Sequence, residues 1–235
     1  MARDTTEPLT DTDFADLDAI TEDVPYTPQL VGHLLHRICS HYQNPEILEL
    51  ACGYGKITPY LASAAESRNG SVRAIDHKYE SWEGKSAEDR VEEAELSDVC
   101  DFTFGVDARW YILELLLQQP GEWIDVVYLD LSHTIEIDAF VALAVWNHLR
   151  PGGVLVFDDL DWKPDEHGSE KIQNQTNRPQ VQQMQMLFKY ICQQPSVGDH
   201  TTWGGEKLNW RWGFIQKARE EETDDQSLSE IIANF

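Results

Sequence analysis

Three aspartates stand inside or directly after apolar runs that otherwise have the composition of buried strands. Asp130 interrupts "VVYLDL", and Asp158 and Asp159 follow "GVLVF". An unpaired charge is costly to bury, so these side chains need a compensating group. Acids also stand near the ends of three earlier apolar runs, namely Glu49, Asp76 and Asp107. The plainer explanation is that 42 of the 235 residues are acidic and that such residues collect in loops.

The loop "ACGYGKIT" is the second feature that could do chemistry, because closely spaced glycines let a backbone approach a ligand. A triphosphate-binding loop would require glycine in place of Leu50 and Ser or Thr in place of Ile57, so that function is disfavoured. The dinucleotide fingerprint G-x-G-x-x-G begins with Gly53 and Gly55 but meets Thr58 where its third glycine should be. The loop by itself leaves a dinucleotide and a nucleoside without phosphates open.

These residues need a scaffold of alternating strands and helices. Apolar runs typical of strands recur about every 25 to 30 residues, which suits βα units. We predict strands at 46–50, 71–76, 101–106, 125–131 and 154–159. Apolar residues at helical spacing predict helices around 31–38, 57–64, 137–144 and 184–191. In the third of these helices, Ile137, Phe140, Val141 and Ala144 would face the core. The alternation indicates a parallel sheet covered on both faces, which binds ligands beyond the carboxyl ends of its strands.

The last part of the chain predicts an antiparallel hairpin. "HTTW" and "WRWGFIQ" are rich in β-forming residues and are separated by a glycine-containing turn. The predicted fold is a doubly wound, Rossmann-like α/β domain whose mostly parallel, seven-stranded sheet ends in this hairpin. We divide the chain into an acidic N-terminal segment (1–27), one folded domain (28–218) with a long lid-like loop (160–178), and an acidic C-terminal tail (219–235).

Composition sets limits on size, compartment and partners. A chain of 235 residues with 41% hydrophobic residues suits one globular domain, and no apolar run approaches the roughly 18 residues that a membrane helix needs. The N-terminal residues lack the pattern of a secretory signal and the four cysteines form no C-x-x-C pair, so we expect a cytoplasmic protein with free thiols. The formal net charge of −24 disfavours nucleic acid as a partner and suggests a salt-rich cytoplasm as a hypothesis.

Taken in order, these pieces resemble the motifs of class I S-adenosylmethionine-dependent methyltransferases over residues 28–218. "LELACGYG" resembles the first motif, "VRAIDH" the acidic end of the second strand, and "GVDARW" the third motif. "VVYLDLSH" and "LRPGGVLVFDD" resemble the fourth and fifth motifs. The sequence departs from the family at Ala51, where the first motif often has another glycine. The resemblance implies an enzyme that binds S-adenosylmethionine, a cofactor that has no pyrophosphate and so needs no glycine at Thr58.

The same resemblance assigns cofactor contacts to residues of this chain. Gly53 and Gly55 would let the backbone approach the methionyl and ribose portion of the cofactor. Asp76 would accept hydrogen bonds from both ribose hydroxyls, and Asp107 would accept one from the adenine amino group. Glu49 would orient the loop, although a role as a cap on local backbone N–H groups is nearly as well supported.

Within the superfamily, "YLDLSH" followed by "FDD" is similar to the metal-dependent O-methyltransferases, which include catechol O-methyltransferase and enzymes acting on sugars and natural products. Asp130, Asp158 and Asp159 match the metal ligands of that group, and three oxygen ligands suit Mg²⁺ or a similar divalent cation. The metal would lower the pKa of the acceptor hydroxyl, and His133 beside Asp130 would take its proton. Alternatively, the Ser-His pair only caps the next helix, and many methyltransferases without a metal keep acids at these positions.

The expected function is methyl transfer to oxygen on a small hydroxylated acceptor, with no nucleic-acid or membrane partner. A nicotinamide-dependent oxidoreductase and a non-catalytic cofactor-binding protein are the alternatives. Thr58 and the lack of a recognisable Tyr-x-x-x-Lys pair disfavour the oxidoreductase. An acidic surface discourages self-association without excluding a symmetric homodimer.

Aromatic residues near the end of the domain have two interpretations. Trp162 and His167 lie in the long loop after the fifth strand, which is either a wall of the acceptor site or a plain insertion. Three further tryptophans are interpreted as packing in the hairpin rather than as an acceptor clamp: Trp203, Trp210 and Trp212.

Overall fold

The computed structural model describes residues 14–163, 181–205, 210–219 and 227–235. The strands are β1 (Glu46–Leu50), β2 (Ser71–Asp76), β3 (Cys100–Phe104), β4 (Ile124–Leu129), β5 (Leu149–Phe157), β6 (Val197–Gly205) and β7 (Trp210–Lys217). The helices are α1 (Ala15–Thr21), α2 (Gln29–Cys39), α3 (Thr58–Ser67), α4 (Ala87–Glu93), α5 (Ala108–Gln118), α6 (Ile135–Trp146), α7 (Gln183–Cys192) and α8 (Leu228–Ala233).

All seven strands form one sheet in the order β3-β2-β1-β4-β5-β7-β6. β1 to β5 pair in parallel, whereas β7 runs antiparallel to both of its neighbours, β5 and β6. This arrangement confirms the predicted Rossmann-like α/β fold with an antiparallel hairpin at its end. β1 and β2 have the predicted bounds, but β5 begins earlier than predicted because the turn-like "RPGG" belongs to the strand. An irregularity in the pairing with β4 accommodates these residues.

Helices cover both faces of the sheet, as the alternating pattern predicts. α1 to α4 and α8 pack on one face, and α5 to α7 pack on the other. Because successive strand residues point to opposite faces, Ile47 of β1 joins the first layer while Leu48 joins the second. β4 is buried along its whole length, which is typical of a central parallel strand.

The predicted core face of α6 is wrong at Phe140, whose relative exposure is 45%. Besides Val141, which belongs to the predicted face, the helix buries Val145 and Trp146. Its sequence "IEIDAFVALAVW" is apolar almost all round, so the apolar spacing has little polar contrast to define a direction. Packing against the sheet, rather than the sequence pattern, sets the rotation of this helix.

The first and last described segments both pack against the domain. Phe14 and Leu17 join the core layer under α2 and α3. At the other end, α8 begins with a capping box of Ser227 and Glu230 and buries Ile231. The proposed division of the chain at residues 27 and 218 stays a prediction. Among the residues that the structure describes, no helix is long and apolar enough to cross a membrane.

Candidate active site

The glycine loop follows β1, and three alternate residues at its start have left-handed backbone conformations. Ala51, Gly53 and Gly55 have φ angles of 73°, 51° and 79°. A Cβ atom on Gly55 would lie 2.5 Å from the Cα atom of Ala87 at the start of α4, so only glycine fits there. Ala51 is an L residue in a conformation that favours glycine, which gives a physical reason for the family's preference at this position.

Asp76, at the carboxyl end of β2, holds the glycine loop in place. Its carboxylate accepts a hydrogen bond from the backbone N–H of Gly53 at 2.9 Å and another from Lys78 at 3.3 Å. The side chain is only 4% exposed. Its position beside the loop suits the ribose-binding role implied by the family resemblance, which stays a prediction.

Glu49 points from β1 towards a cavity of about 150 Å³ that we call the loop cavity. The residue is 1% exposed, and among the described residues its Oε2 atom has no hydrogen-bond partner. Burial raises the pKa of this carboxyl to about 8. Glycine-loop residues and the segment Val24–Thr27 form much of the cavity wall.

Three aspartates and a histidine meet beyond the ends of β4 and β5, and we call them the acid cluster: Asp130, Asp158, Asp159 and His133. The Nε2 atom of His133 lies 3.6 Å from Oδ1 of Asp130 and 3.4 Å from Oδ2 of Asp159. Asp158 is 4% exposed and accepts hydrogen bonds from the Tyr128 hydroxyl and from the backbone N–H of Asp159, at 2.5 and 2.6 Å. His133 and Asp159 both have positive φ angles, of 54° and 52°, a strain that often accompanies function.

The acid cluster is strongly perturbed electrostatically. Burial, reinforced by repulsion from Asp158 and Asp159, raises the pKa of Asp130 well above its usual range. Burial together with the neighbouring Asp158 raises the pKa of Asp159 to about 8. Burial also raises the pKa of Asp158, although the Tyr128 hydroxyl opposes that shift. Carboxyls crowded in this way gain from any nearby cation or from holding a proton.

A second cavity, of about 310 Å³, opens onto the acid cluster, and we call it the acidic cavity. Its wall consists of Tyr26, Thr27 and aromatic side chains around the four cluster residues, the tryptophans being Trp162, Trp210 and Trp212. Tyr26, Thr27 and Asp130 line both cavities. The two cavities therefore meet at the carboxyl end of β4.

Comparison with known proteins gives a partial match to one family model and a shared fold. Residues 48–160 match a family model described as a methyltransferase domain. The O-methyltransferase TomG from Streptomyces achromogenes, solved with S-adenosylmethionine and involved in tomaymycin synthesis, is 21% identical with a TM-score of 0.63, over 87% of this chain and 90% of that one. An O-methyltransferase from Bacillus cereus, solved with S-adenosylhomocysteine, is 22% identical with a TM-score of 0.59, over 91% and 94%. Residues 48–160 therefore resemble a methyltransferase domain, and the fold is the one that these O-methyltransferases share.

A third similar structure is a putative caffeoyl-CoA O-methyltransferase from Staphylococcus aureus, 15% identical with a TM-score of 0.57, over 88% of this chain and 91% of that one. No curated protein matches this chain. At these identities the structural likeness establishes the fold of the methyltransferase domain. The acceptor has to be inferred from the site itself.

The methyltransferase domain brings most of the predicted site residues together. Glu49 and Gly53 line the loop cavity, and Asp130, Asp158, Asp159 and His133 line the acidic cavity. Asp107 is engaged elsewhere, because it caps α5 and pairs with Arg109, whose guanidinium holds the Asp107 pKa down at about 2. Its contact with adenine stays a prediction.

Among the hairpin tryptophans, Trp203 and Trp212 pack on each other with ring centroids 5.6 Å apart, as interpreted from the sequence. Trp210 and Trp212 also line the acidic cavity, which the sequence did not indicate. Trp162 lies at the same cavity and 5.4 Å from the His133 ring. His167 lies outside the described residues.

Two side chains in the methyltransferase site were missed in the sequence. Tyr128 precedes Asp130 by two residues on β4 and anchors Asp158, but a tyrosine in an apolar run reads as core. Lys56 stands where a triphosphate-binding loop would have its phosphate-contacting lysine. Its ammonium instead donates to the backbone carbonyls of Thr21 and Val24, at 2.7 and 2.9 Å.

We expect Ala51→Gly to raise the free energy of unfolding by up to about 1 kcal/mol, because an L residue at positive φ costs roughly 1–2 kcal/mol and the added backbone entropy of glycine cancels part of that gain. Urea denaturation would measure the change. Ala144→Gly, in the interior of α6, is the matched control, and its free energy of unfolding should fall by about 1 kcal/mol. Equal losses in both variants would contradict the strain assigned to Ala51.

Glu49→Gln should change how stability depends on pH. The folded protein keeps the Glu49 proton up to about pH 8, whereas the unfolded chain releases it near the ordinary pKa of about 4.3. Burial of the Glu49 carboxyl therefore does not lower the free energy of unfolding below pH 4. Above that pH it lowers the free energy of unfolding increasingly as the pH rises towards 8. In thermal unfolding, the free energy of unfolding of the variant relative to the parent should increase by more than about 1 kcal/mol between pH 5 and pH 8. Glu46→Gln, at the other end of β1, is the control, and a gain independent of pH would rule out this account.

Proposed function

We propose that this protein transfers the methyl group of S-adenosylmethionine to an oxygen atom of a small hydroxylated acceptor. The observation that carries the proposal is the meeting of the loop cavity and the acidic cavity at Asp130, beside an imidazole that can accept a proton. The net charge of −24 supports a small-molecule acceptor over a nucleic acid. Two of the similar structures are O-methyltransferases, which supports transfer to oxygen.

The loop cavity has the chemistry that the cofactor needs. S-adenosylmethionine supplies an electrophilic methyl group when it is bound. The unpartnered Glu49 Oε2 atom offers a buried acceptor for an ammonium group, and the open backbone at Gly53 lets a ligand approach closely. Asp76 stands ready to accept the ribose hydroxyls while it holds Gly53. These residues bind and orient the cofactor; they need no chemistry of their own.

The acid cluster handles the acceptor proton. His133 lies between Asp130 and Asp159, whose carboxyl oxygens lie 3.6 and 3.4 Å from its Nε2 atom and can orient the imidazole. His133 therefore takes the hydroxyl proton, and the two carboxylates hold the imidazole in position. Tyr128 donates a hydrogen bond that holds the Asp158 carboxyl in place.

We also propose that Asp130, Asp158 and Asp159 hold a divalent cation such as Mg²⁺, which would lower the pKa of a coordinated acceptor hydroxyl. The donor set fits, because three carboxylates with raised pKa values lack a fixed positive charge in the described cluster. Within the described residues, no group of three or more candidate ligands has the geometry of a formed metal site. Binding would therefore require the three side chains to converge.

The test of the proposed function is a calorimetric titration of S-adenosylhomocysteine into the protein, followed by a methyl-transfer screen against catechols and sugars. We expect saturable binding with a dissociation constant in the micromolar range, an affinity of about −8 kcal/mol. NADH is the competing ligand. Binding of NADH without S-adenosylhomocysteine would overturn the assignment.

The same screen should be run on His133→Gln, which keeps the size and polarity of the side chain but cannot hold the proton. We expect turnover to fall about a hundredfold or more at neutral pH, the usual contribution of a general base. The affinity for S-adenosylhomocysteine should stay unchanged. Unchanged turnover would remove His133 from the mechanism.

Mg²⁺ should stabilise the parent protein against thermal unfolding at pH 8, because it neutralises the acid cluster, and a hundredfold excess over the dissociation constant contributes about 2.7 kcal/mol. The double variant Asp158→Asn/Asp159→Asn should lose this gain. Glu92→Gln/Glu93→Gln is the matched control, since it removes two adjacent, exposed acids from α4. If all three proteins gain equally, Mg²⁺ binds only to the acidic surface and the metal proposal is wrong.

A further inference from the structure

Residues 20–27, which we call the N-terminal strap, end in a wall that the two cavities share. Val24 and Pro25 line the loop cavity, while Tyr26 and Thr27 line both cavities. Tyr26 has a φ angle of 80° and is 79% exposed, so its own packing does not hold it in this unfavourable conformation. The position of the strap must be imposed by other contacts.

Arg90 supplies those contacts from α4. Its side chain is completely buried, and each of its five N–H groups has an acceptor. Nη1 and Nη2 donate to the two carboxylate oxygens of Asp23, both at 2.9 Å, and Nη1 also donates to the Ile20 carbonyl. Nε donates to the carbonyl of Tyr54 in the glycine loop at 3.0 Å, and Nη2 donates to that of Trp82 at 3.4 Å. One guanidinium thus joins the strap to the loop that forms the loop cavity.

Two further contacts tie the same parts together. Lys56 of the glycine loop donates to the strap carbonyls of Thr21 and Val24. Gly55 packs directly against Ala87, one turn before Arg90, so the loop and α4 are in close contact. The first half of the strap, residues 20–24, is therefore fastened to the glycine loop, directly by Lys56 and through Arg90.

We propose that Arg90 is a positioning residue that couples the glycine loop to the N-terminal strap, so that a cofactor held by the loop also orders the wall of the acidic cavity. This inference rests on the proposed function, because it requires the loop to bind S-adenosylmethionine. Its consequence is that the acceptor binds better after the cofactor than before it. Binding energies of two ligands coupled through a shared element are reciprocal, so the acceptor also tightens cofactor binding.

Asp23 is the place to break the coupling without breaking the fold. Its side chain is about one-third exposed, and the Arg90 guanidinium holds the pKa of this carboxyl below its usual value. Asp23→Asn keeps the shape but loses the paired charge. Arg90→Lys is the second variant, because lysine keeps the charge and lacks the planar fork that reaches the strap and the loop together.

The experiment measures hydrogen–deuterium exchange of residues 20–27 with and without saturating S-adenosylhomocysteine, alongside calorimetric affinity. In the parent we expect the ligand to slow exchange in the strap at least tenfold. In Asp23→Asn and Arg90→Lys we expect the strap to exchange fast in both states and S-adenosylhomocysteine to bind about tenfold more weakly. Asp125→Asn is the control, because Asp125 pairs with Arg150 at 2.7 Å near the amino end of β4, away from both cavities.

The outcomes separate this inference from the proposed function. If the parent does not bind S-adenosylhomocysteine, the proposed function fails and the coupling fails with it. If the parent binds the ligand but strap exchange does not respond, only the coupling is wrong. A purely structural role for the ion pair would make Asp23→Asn behave like Asp125→Asn, with lower stability but intact protection of the strap, and that result would also overturn the inference.

Discussion

Three backbone hydrogen bonds at the carboxyl ends of the strands hold the whole site together. The N–H of Ala51 donates to Ile75 of β2, that of Asp130 donates to Leu50 of β1, and that of Asp158 donates to Leu129 of β4, at distances of 2.9 to 3.1 Å. Each bond extends the parallel ladder by one residue beyond the regular strand. Because the ladder fixes where each chain leaves the sheet, the glycine loop and the acid cluster are neighbours before any side chain makes a contact.

The ladder also explains how the site can keep an unfavourable set of charges. In a mobile loop, mutual repulsion would drive the three aspartates of the acid cluster apart. Here the sheet fixes their backbones, and Tyr128 anchors Asp158. The cost appears as raised pKa values and as positive φ angles at His133 and Asp159. Strain of this kind persists only where the surrounding structure over-determines the conformation, and a stable sheet provides that. The site is therefore poised to gain from a proton or a cation.

Much of this arrangement was predictable because it follows from local patterns. The bounds of β1 and β2 follow from apolar runs that stop abruptly, and the acids directly after strands reach one edge by the geometry of a parallel sheet. The direction of α6 was not predictable, since Phe140 and Val141 are equally apolar and only packing distinguishes them. The pairing of Asp107 with Arg109 was also hidden, because the sequence shows that an acid follows β3 but not which neighbour it contacts. Arg90 lies on a short helix whose charged sequence "AEDRVEE" reads as solvated surface, although this arginine is fully buried.

Because basic residues are scarce in this chain, the contacts of each lysine and arginine matter more for holding its segments together. The chain has 18 lysines and arginines against 42 acids, yet several of these cations join segments that are far apart in the sequence. Lys217 donates to the Leu149 carbonyl and to Glu122, and Arg150 pairs with Asp125 at the start of β5. Arg90 and Lys56 act in the same way at the other edge, where their donors end on backbone carbonyls that no strand pairs. In a chain with so large an excess of acids, a cation that joins two segments opposes the general repulsion as well as satisfying local acceptors. The few cations thus hold separate segments of the chain together. Arg90, which joins the most segments, contacts the glycine loop.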